Sequence, residues 1–272
     1  MTGWRKQPIG DLPLYQAKTI SWLPRIVQGC TTRRGGISQA PYDSLNLGTH
    51  VGDAPASVLA NRQRVWSDLG YAEGQIVLAE QVHGDKIGVV RAGTGSVPVP
   101  GADALVTNVP DLLLMLFFAD CVPVYIVDPV HKVIGLAHAG WRGTEANIAG
   151  KMVQTLVEAF DCLPAACQAA IGPSISGDSY EVGADVADRF RTLPGSRAAN
   201  VVLPRNEIAG TYTLNLRAVV FLQLLSAGLK AESIAVCDED TFRNRRDFFS
   251  YRRDGVTGRM GAFLGMKEKK TE

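Results

Sequence analysis

Two histidines and one cysteine form the set of residues best suited to chemistry in this chain. They are His83 in QVHGDK, Cys121 in FFADCVPVYIVD and His138 in GLAHAGWRG, each where a predicted strand ends in a loop. The chain has only four histidines and five cysteines, so the set is hard to attribute to background. Imidazole and thiolate groups are typical ligands of zinc or copper, and three protein ligands leave an open position for chemistry. We therefore predict a catalytic metal site.

The same residue types allow other interpretations. Without a metal, Cys121 could be a thiolate nucleophile and His138 its general base, with Asp120 or another acceptor orienting the imidazole, as in cysteine hydrolases. The set could also be a buried thiol beside two hydrogen-bonded histidines. A non-enzymatic nucleotide-binding module would use the metal structurally, but such sites usually have four protein ligands.

A second cluster is basic and suits an anion. FFSYRRDGVTGR contains several arginines, TTRRGG contains two more, and guanidinium groups match phosphate or carboxylate geometry. Pairing with Asp247 and Asp254 or exposure to solvent would account for some of them. Trp141 and Arg142 follow His138 closely, so an aromatic face or a guanidinium group could lie against a planar substrate. The residues predicted to bind substrate or phosphate are Arg33, Trp141, Arg142, Ser250, Arg252 and Arg253.

Composition limits the class of protein. The 272 residues are 46% hydrophobic and 20% charged, with 28 Lys and Arg against 27 Asp and Glu, which predicts one globular domain and no nucleic-acid partner. The first ~20 and last ~6 residues are expected to be peripheral. The N-terminus does not resemble a secretory signal, and the apolar stretch around 112–119 is too short for a membrane span. With five cysteines and no regular framework, we expect reduced thiols in a cytoplasmic protein.

Hydrophobic periodicity predicts an α+β fold with mixed β-sheets flanked by helices. The stretch 112–129 reads as two buried strands broken at Asp120 to Pro123, which places Cys121 at a strand end. Helical spacing follows within 145–160, with Thr144 as the expected N-cap. Near the C-terminus we expect one strand from Phe248 to Arg252 and a last one from Arg259. The other predicted elements are strands within 75–84, 87–92, 132–139, 167–171 and 233–237 and helices within 55–71, 182–193 and 214–229.

The chain resembles the YfiH or YlmD family, long labelled multicopper polyphenol oxidoreductase or laccase. The resemblance runs from about Gly29 to Met266 and is carried, in order, by QVHGDK, GADALVTN, FFADCVPVYIVDP, IGLAHAGWRGT, AAIGPSIS, YEVG and FFSYRRDGVTGRM. It implies a single YfiH-like domain over 1–272 and, residue by residue, metal ligands at His83, Cys121 and His138. Members often read CT where this chain reads CDEDTF, so Cys237 receives no role.

The resemblance implies phosphorolysis of adenosine, inosine and methylthioadenosine to ribose 1-phosphate and free base, with adenosine deamination. The implied cofactor is zinc, with copper possible in the same site, and the implied partners are purine nucleosides and phosphate. We expect Cys121, His138 and Asp120 to be catalytic, Asp120 by supporting positive charge on the ribose. The oligomeric state is expected to be a monomer or small homo-oligomer.

Two alternatives stay open from the resemblance. A copper-dependent polyphenol oxidase would use a single copper, because four histidines cannot fill the clusters of a multicopper oxidase. A hydrolase that edits peptidoglycan precursors would use the metal or Cys121 to cleave an amide.

Overall fold

A computed structural model describes residues 3–93, 97–206 and 208–268. The strands are Trp4–Ile9 (β1), Leu12–Ala17 (β2), Ile26–Thr31 (β3), Ile76–Leu78 (β4), Ile87–Val90 (β5), Ala104–Thr107 (β6), Leu113–Phe118 (β7), Val122–Asp128 (β8), Val133–Ala139 (β9), Gln168–Ile171 (β10), Glu181–Gly183 (β11), Val202–Asn206 (β12), Thr211–Leu214 (β13), Ile234–Val236 (β14) and Met260–Met266 (β15). The helices are Lys18–Ser21 (α1), Pro55–Asp68 (α2), Trp141–Glu145 (α3), Ile148–Phe160 (α4), Ala184–Arg191 (α5), Leu216–Ser226 (α6) and Tyr251–Asp254 (α7).

The strands form two large mixed sheets and a small one. The first large sheet has the order β1-β2-β3-β15-β7-β4, the second has the order β14-β10-β8-β9-β6-β5, and β11-β13-β12 form the small sheet. The two large sheets pack face to face, α2 covers the outer face of the first, and α4 and α6 cover the outer face of the second. The predicted α+β class with mixed sheets and flanking helices in a single domain is confirmed.

Strand β7 shows why its sequence must be apolar on both faces. All six of its residues are buried. Leu114, Leu116 and Phe118 point into the core between the sheets, whereas Leu113 and Met115 face the core beneath α2. Side chains alternate between the faces of a strand, so a strand buried on both faces reads as an unbroken apolar run.

Strand ends gather at one end of the crevice between the sheets. Strand β4 runs parallel to β7, so both C-terminal ends lie at the same edge of the first sheet. In the second sheet, β8 and β9 are antiparallel with Pro123 opposite His138, which brings the start of β8 to the end of β9. The chain crosses between the sheets from Phe118 to Val122. His83, Cys121 and His138 therefore converge from three connections at one end of the crevice.

Two local expectations were wrong. Asn147, with φ of 64°, caps α4 by accepting a hydrogen bond from the Gly150 N–H, whereas Thr144 lies inside the separate short helix α3. The strand expected from Phe248 to Arg252 is absent from this described stretch because the Ser250 side chain caps α7 there. Local capping prevailed over apolar alternation in both places.

The first ~20 residues were expected to be peripheral to the domain. Strands β1 and β2 lie at one edge of the first sheet, but Leu14 and Tyr15 of β2 are buried in the core. Within the described ranges, every helix is too short or too polar to cross a bilayer.

Strand β15 occupies the middle of the first sheet, so truncating Phe263 should destabilise the whole domain. Its ring is fully buried, and Phe263→Ala should lower the free energy of unfolding by ~3–5 kcal/mol through lost burial and an internal cavity. Val256→Ala, at a side chain 60% exposed, should change it by less than ~0.5 kcal/mol. Urea unfolding measures both, and equal effects would contradict the central placement of β15.

Candidate metal centre

His83, Cys121 and His138 form one cluster. One ligand atom from each lies within 4.8 Å of the others, and the two imidazole rings meet edge to face at 4.9 Å between centroids. His138 is 3% exposed and packs against Phe118 at the end of the crevice. Cys121 is partly buried and His83 is exposed, so the cluster is closed on the core side and open on the His83 side.

Two glycines of AHAGWRGT allow this close approach. A Cβ on Gly140 would lie 3.2 Å from both Cys121 Sγ and the His83 ring. A Cβ on Gly143 would lie 2.6 Å from the Gly84 carbonyl oxygen. A side chain at either position would force the β9–α3 connection away from the His83 loop. The glycines thus let three segments meet around one point.

Asp103 connects the two histidines. Its buried carboxylate accepts hydrogen bonds from the N–H groups of Val82 (3.0 Å), His83 (3.1 Å) and Gly84 (2.7 Å). It also accepts one from His138 Nδ1 at 2.9 Å, and the Asp103 carbonyl oxygen accepts the His138 N–H at 2.7 Å. Burial raises the pKa of this carboxyl, but His138 and the loop N–H groups outweigh burial and lower it. Asp103 is therefore ionised near neutral pH.

Cys121 and His138 form a polarised pair in the protein without a metal. Burial raises the pKa of the Cys121 thiol, but the charge of His138 and hydrogen bonds from both histidines lower it further than burial raises it. Burial lowers the pKa of His138, whereas the Cys121 thiolate and Asp103 raise it above its usual value. A thiolate at Cys121 is the form that binds metal and the form that acts as a nucleophile.

The donor set fits a zinc or copper ion. Sulfur and imidazole nitrogen are preferred ligands of both metals. His138 Nδ1 is engaged by Asp103, which leaves Nε2 as its ligand atom. A carboxylate behind a ligating histidine is the usual arrangement at protein metal sites. These three residues would supply the protein ligands and leave the open side toward solvent.

A cavity of about 500 Å³ opens beside the cluster. Aromatic and basic side chains make up much of its wall: Trp141, Arg142, Tyr180, Tyr251, Arg252, Arg259 and His50. Burial and the charge of Arg259 lower the pKa of His50, so its imidazole is neutral near pH 7. The cavity is large enough for a small organic substrate.

Three guanidinium groups give this cavity an excess of positive charge. Arg142 lies over the Trp141 ring at 4.4 Å, and Arg252 lies over the Tyr180 ring at 4.8 Å. Arg259 donates to the carbonyl oxygens of two neighbouring residues, at 2.9 and 3.0 Å. None of the three forms an ion pair within the described part of the chain. The cavity can therefore hold an anion.

Asp120 is the one carboxylate of the described cavity wall, and its oxygens are already occupied. It accepts hydrogen bonds from Thr241 Oγ1 (2.7 Å), Ser250 Oγ (3.0 Å) and the Arg252 N–H (2.7 Å), and it is 8% exposed. Asp120 thus anchors α7 at the cavity wall. The sequence left Asp120 or another acceptor to orient the His138 imidazole, and in the structure that acceptor is Asp103.

Three residues predicted to bind substrate lie outside this wall. Arg33 stacks on Phe249 at 4.6 Å and pairs with Asp43 at 3.2 Å. Ser250 is fully buried as the cap of α7. The Arg253 guanidinium donates to the carbonyl oxygens of residues 241, 242 and 248 at 2.8–3.0 Å and pairs with residue 254. The contacts of these three residues hold loops and α7 in place, whereas Trp141, Arg142 and Arg252 line the cavity.

Sequence reasoning missed three residues of this site: Asp103, His50 and Tyr180. Asp103 lies within GADALVTN and Tyr180 begins YEVG, where a carboxylate or tyrosine among apolar residues was the available signal. His50 had no signal beyond its rarity. Arg259 was visible in the basic cluster, but spacing cannot distinguish it from Arg253.

A second group with possible metal ligands lies elsewhere. Ligand atoms of Asp128, His131 and Cys162 lie within 4.8 Å of one another at the far end of β8. Asp128 accepts the N–H groups of Val130 (2.8 Å) and His131 (3.0 Å) and the His131 ring N–H at 2.8 Å. These contacts are accounted for by the tight turn between β8 and β9.

Comparison with known proteins gives consistent matches over nearly the whole chain. Residues 27–267 match the family model described as multi-copper polyphenol oxidoreductase laccase. A Geobacillus stearothermophilus protein named purine nucleoside phosphorylase YlmD is 43% identical over 275 residues, covering 95% of this chain and 99% of the relative. The crystal structure of the Bacillus licheniformis hypothetical protein YfiH has a TM-score of 0.91 at 37% identity, covering 98% of this chain and 100% of that one. The crystal structure of YlmD from Geobacillus stearothermophilus has a TM-score of 0.88 at 40% identity with the same coverage.

Cys121 should be the one readily alkylated thiol of the metal-stripped protein. Its pKa is lowered, whereas burial raises the pKa of each of the other four cysteines. Iodoacetamide labelling followed by mass spectrometry should show half-maximal reactivity below the pH of about 8.5 typical of a free cysteine. His138→Gln should move that pH upward, and His131→Gln, at the turn beside Cys162, should not. Preferential labelling of another cysteine would contradict this electrostatic description.

Proposed function

This chain belongs to the multi-copper polyphenol oxidoreductase laccase family, and we propose that it is a metal-dependent purine nucleoside phosphorylase. The observation that carries the proposal is one cavity that combines a His2Cys cluster with three guanidinium groups free of ion pairs among the described residues. The names of its relatives support the same substrate class.

The anion site is proposed to hold phosphate. Arg142 and Arg252 both line the cavity, and each lies against an aromatic ring. A guanidinium group donates parallel hydrogen bonds to two oxygens of a phosphate. The described wall holds one carboxylate, Asp120, against three guanidinium groups, so a phosphate dianion would meet a net positive charge there.

The reaction needs phosphate and nucleoside aligned in the cavity. An oxygen of hydrogen phosphate bonds to the ribose C1′ while the C1′–N9 bond breaks and its electron pair stays on the base. The proton of hydrogen phosphate ends on the released base, which balances the conversion to ribose 1-phosphate and free purine. Holding both reactants in this alignment would lower the barrier by removing the entropy cost of bringing them together.

The aromatic side chains are proposed to bind the purine. Trp141, Tyr180 and Tyr251 present ring faces or edges to the cavity, and stacking is available to every purine. Adenosine, inosine and methylthioadenosine share that ring system, so the chain is proposed to accept all three. Asp120 acts by fixing the Arg252 backbone, and this places the phosphate relative to the ribose.

His83, Cys121 and His138 are proposed to hold zinc at the cavity wall. When bound, zinc would act as a Lewis acid and lower the pKa of a water at its open position, the chemistry that adenosine deamination requires. The chain's own contribution is a preformed trio with its open side toward the substrate. Copper suits the same donors, so an incidental oxidase activity is compatible with this site.

A thiol hydrolase is a second candidate with a specific observation in its favour. Cys121, His138 and Asp103 are arranged as nucleophile, base and orienting carboxylate. In that case the substrate would be an amide, such as a misassembled peptidoglycan precursor. Activity that survives complete metal removal and is lost in Cys121→Ser would favour it.

Removing one ligand should abolish metal binding and turnover together. His83 is exposed, so His83→Ala should fold normally while losing stoichiometric zinc and phosphate-dependent base release from adenosine. Metal analysis and chromatography of adenine, hypoxanthine and inosine measure metal content, phosphorolysis and deamination. Full phosphorolysis by the metal-free protein would refute the metal dependence, and zinc binding without nucleoside turnover would refute the phosphorylase.

Arg142→Gln should weaken phosphate binding selectively. Loss of a charge-assisted hydrogen bond of about 1.5–3 kcal/mol should raise KM for phosphate by ~10–100-fold, with a smaller change in KM for the nucleoside. Arg191→Gln is the matched control, because Arg191 also lies over a ring, at 4.2 Å from Tyr212, but outside the cavity. Equal effects of the two variants on KM for phosphate would rule out the assigned subsite.

A further inference from the structure

We propose that Asp103 is a positioning residue that fixes both histidine ligands through one carboxylate and thereby sets the metal affinity of the site. This inference rests on the metal site described under the proposed function. Asp103 itself contacts neither the cavity nor the open side of the cluster; it acts through His83 and His138.

The first step of the argument concerns the His83 loop. His83 has a φ of 60°, in the left-handed region that residues with a Cβ rarely adopt. Three consecutive N–H groups, from Val82 to Gly84, point at the Asp103 carboxylate at 2.7–3.1 Å. These bonds compensate the unfavourable backbone and hold the imidazole of His83 toward Cys121. Among these contacts, the Asp103 carboxylate is the group that holds the three N–H groups toward one point.

The second step concerns the His138 ring. Because an ionised carboxylate can only accept, Nδ1 must carry the proton in its 2.9 Å contact with Asp103. The His138 residue is 3% exposed, and its backbone N–H donates to the Asp103 carbonyl oxygen. The ring therefore has little freedom to rotate. Nε2 is thereby directed to the cluster, and the carboxylate makes it a more basic ligand.

The third step is that one group serves both ligands. Asp103 Oδ1 accepts from His138 Nδ1 and from the His83 N–H, and Oδ2 accepts from Val82 and Gly84. An asparagine cannot reproduce this, because its NH2 group would face N–H donors. The positions of the two imidazoles are therefore coupled, and a substitution at Asp103 should displace both rings.

The chain offers a matched control in Asp128. Asp128 is fully buried and accepts two backbone N–H groups. It also accepts a hydrogen bond from a histidine Nδ1 at 2.8 Å, and the corresponding distance at Asp103 is 2.9 Å. It lies at the opposite end of β8 from Cys121 and outside the cavity. Asp128→Asn thus makes the same chemical change at a buried carboxylate that also binds a histidine, away from the His2Cys site.

The experiment measures zinc affinity by chelator competition in the full-length protein, Asp103→Asn and Asp128→Asn. We expect Asp103→Asn to bind zinc at the His2Cys site 10–100-fold more weakly and Asp128→Asn to retain native affinity there. Cobalt substitution gives a spectroscopic reading of the ligand geometry, and the cobalt spectrum should change in Asp103→Asn alone. Native affinity and an unchanged spectrum in Asp103→Asn would overturn the inference.

A second measurement needs no variant and so does not depend on folding of Asp103→Asn. In zinc-loaded native protein with 15N-labelled histidine, the His138 ring should show a protonated Nδ1 and a metal-bound Nε2. With four histidines in the chain, the four spin systems can be assigned separately. Coordination through Nδ1 would overturn the inference. If native protein binds zinc no better than His83→Ala, the proposed metal site itself fails, which is a distinct result.

Discussion

The buried carboxylate of Asp103 is the interaction on which the site depends. A charged group without exposure is tolerated in a protein interior only when its hydrogen-bonding capacity is met. Here four donors meet it: three N–H groups of the His83 loop and the ring of His138. The same bonds that make burial of the charge acceptable also fix the two imidazoles. Stability of this region and geometry of the site therefore have one cause.

The sheet sandwich determines where such a site can form. Among the described residues, buried side chains fill the core between the two large sheets, so the cavity lies at one end, where strands give way to loops. At one end the chain leaves β7, enters β8 and leaves β9 within a short distance. Elements packed on both faces move little, so a site supported by their ends is held more rigidly than one on free loops.

Charge is distributed so that the cavity wall stays basic. Arg253 and Arg33 are satisfied by carbonyl oxygens or carboxylates and hold loops in place. Arg142 and Arg252 lie over ring faces, which restrict their motion, and neither forms an ion pair among the described residues, although Arg252 also donates to the Glu181 carbonyl oxygen. Asp120, the one carboxylate of the described cavity wall, accepts hydrogen bonds from Thr241, Ser250 and the Arg252 N–H. An anionic ligand would supply the missing negative charge.

The sequence by itself determined the fold class and the chemistry of the cluster. Apolar runs such as 113–118 and 122–128 are typical of strands buried on both faces, and a break between them put Cys121 at a strand end. The rarity of histidine singled out His83 and His138. The basic segment near the C-terminus was identified as a group, but not sorted residue by residue.

Only the tertiary structure decided which polar groups serve the site. Arg252 and Arg253 are neighbours in sequence and both donate to carbonyl oxygens, yet of the two only Arg252 lies in the described cavity wall. A single residue of rotation on α7 gives Arg253 a different set of partners, the carbonyl oxygens of residues 241, 242 and 248. Asp103 and Asp120 carry the same functional group. Asp103 is the one that orients His138, through a contact between residues 35 positions apart in the sequence. Ser250 forms a helix cap where alternation suggested a strand. The outcomes at the arginines and aspartates follow from tertiary contacts, which residue type and spacing do not encode, whereas the Ser250 cap is a local bond from the Arg253 N–H.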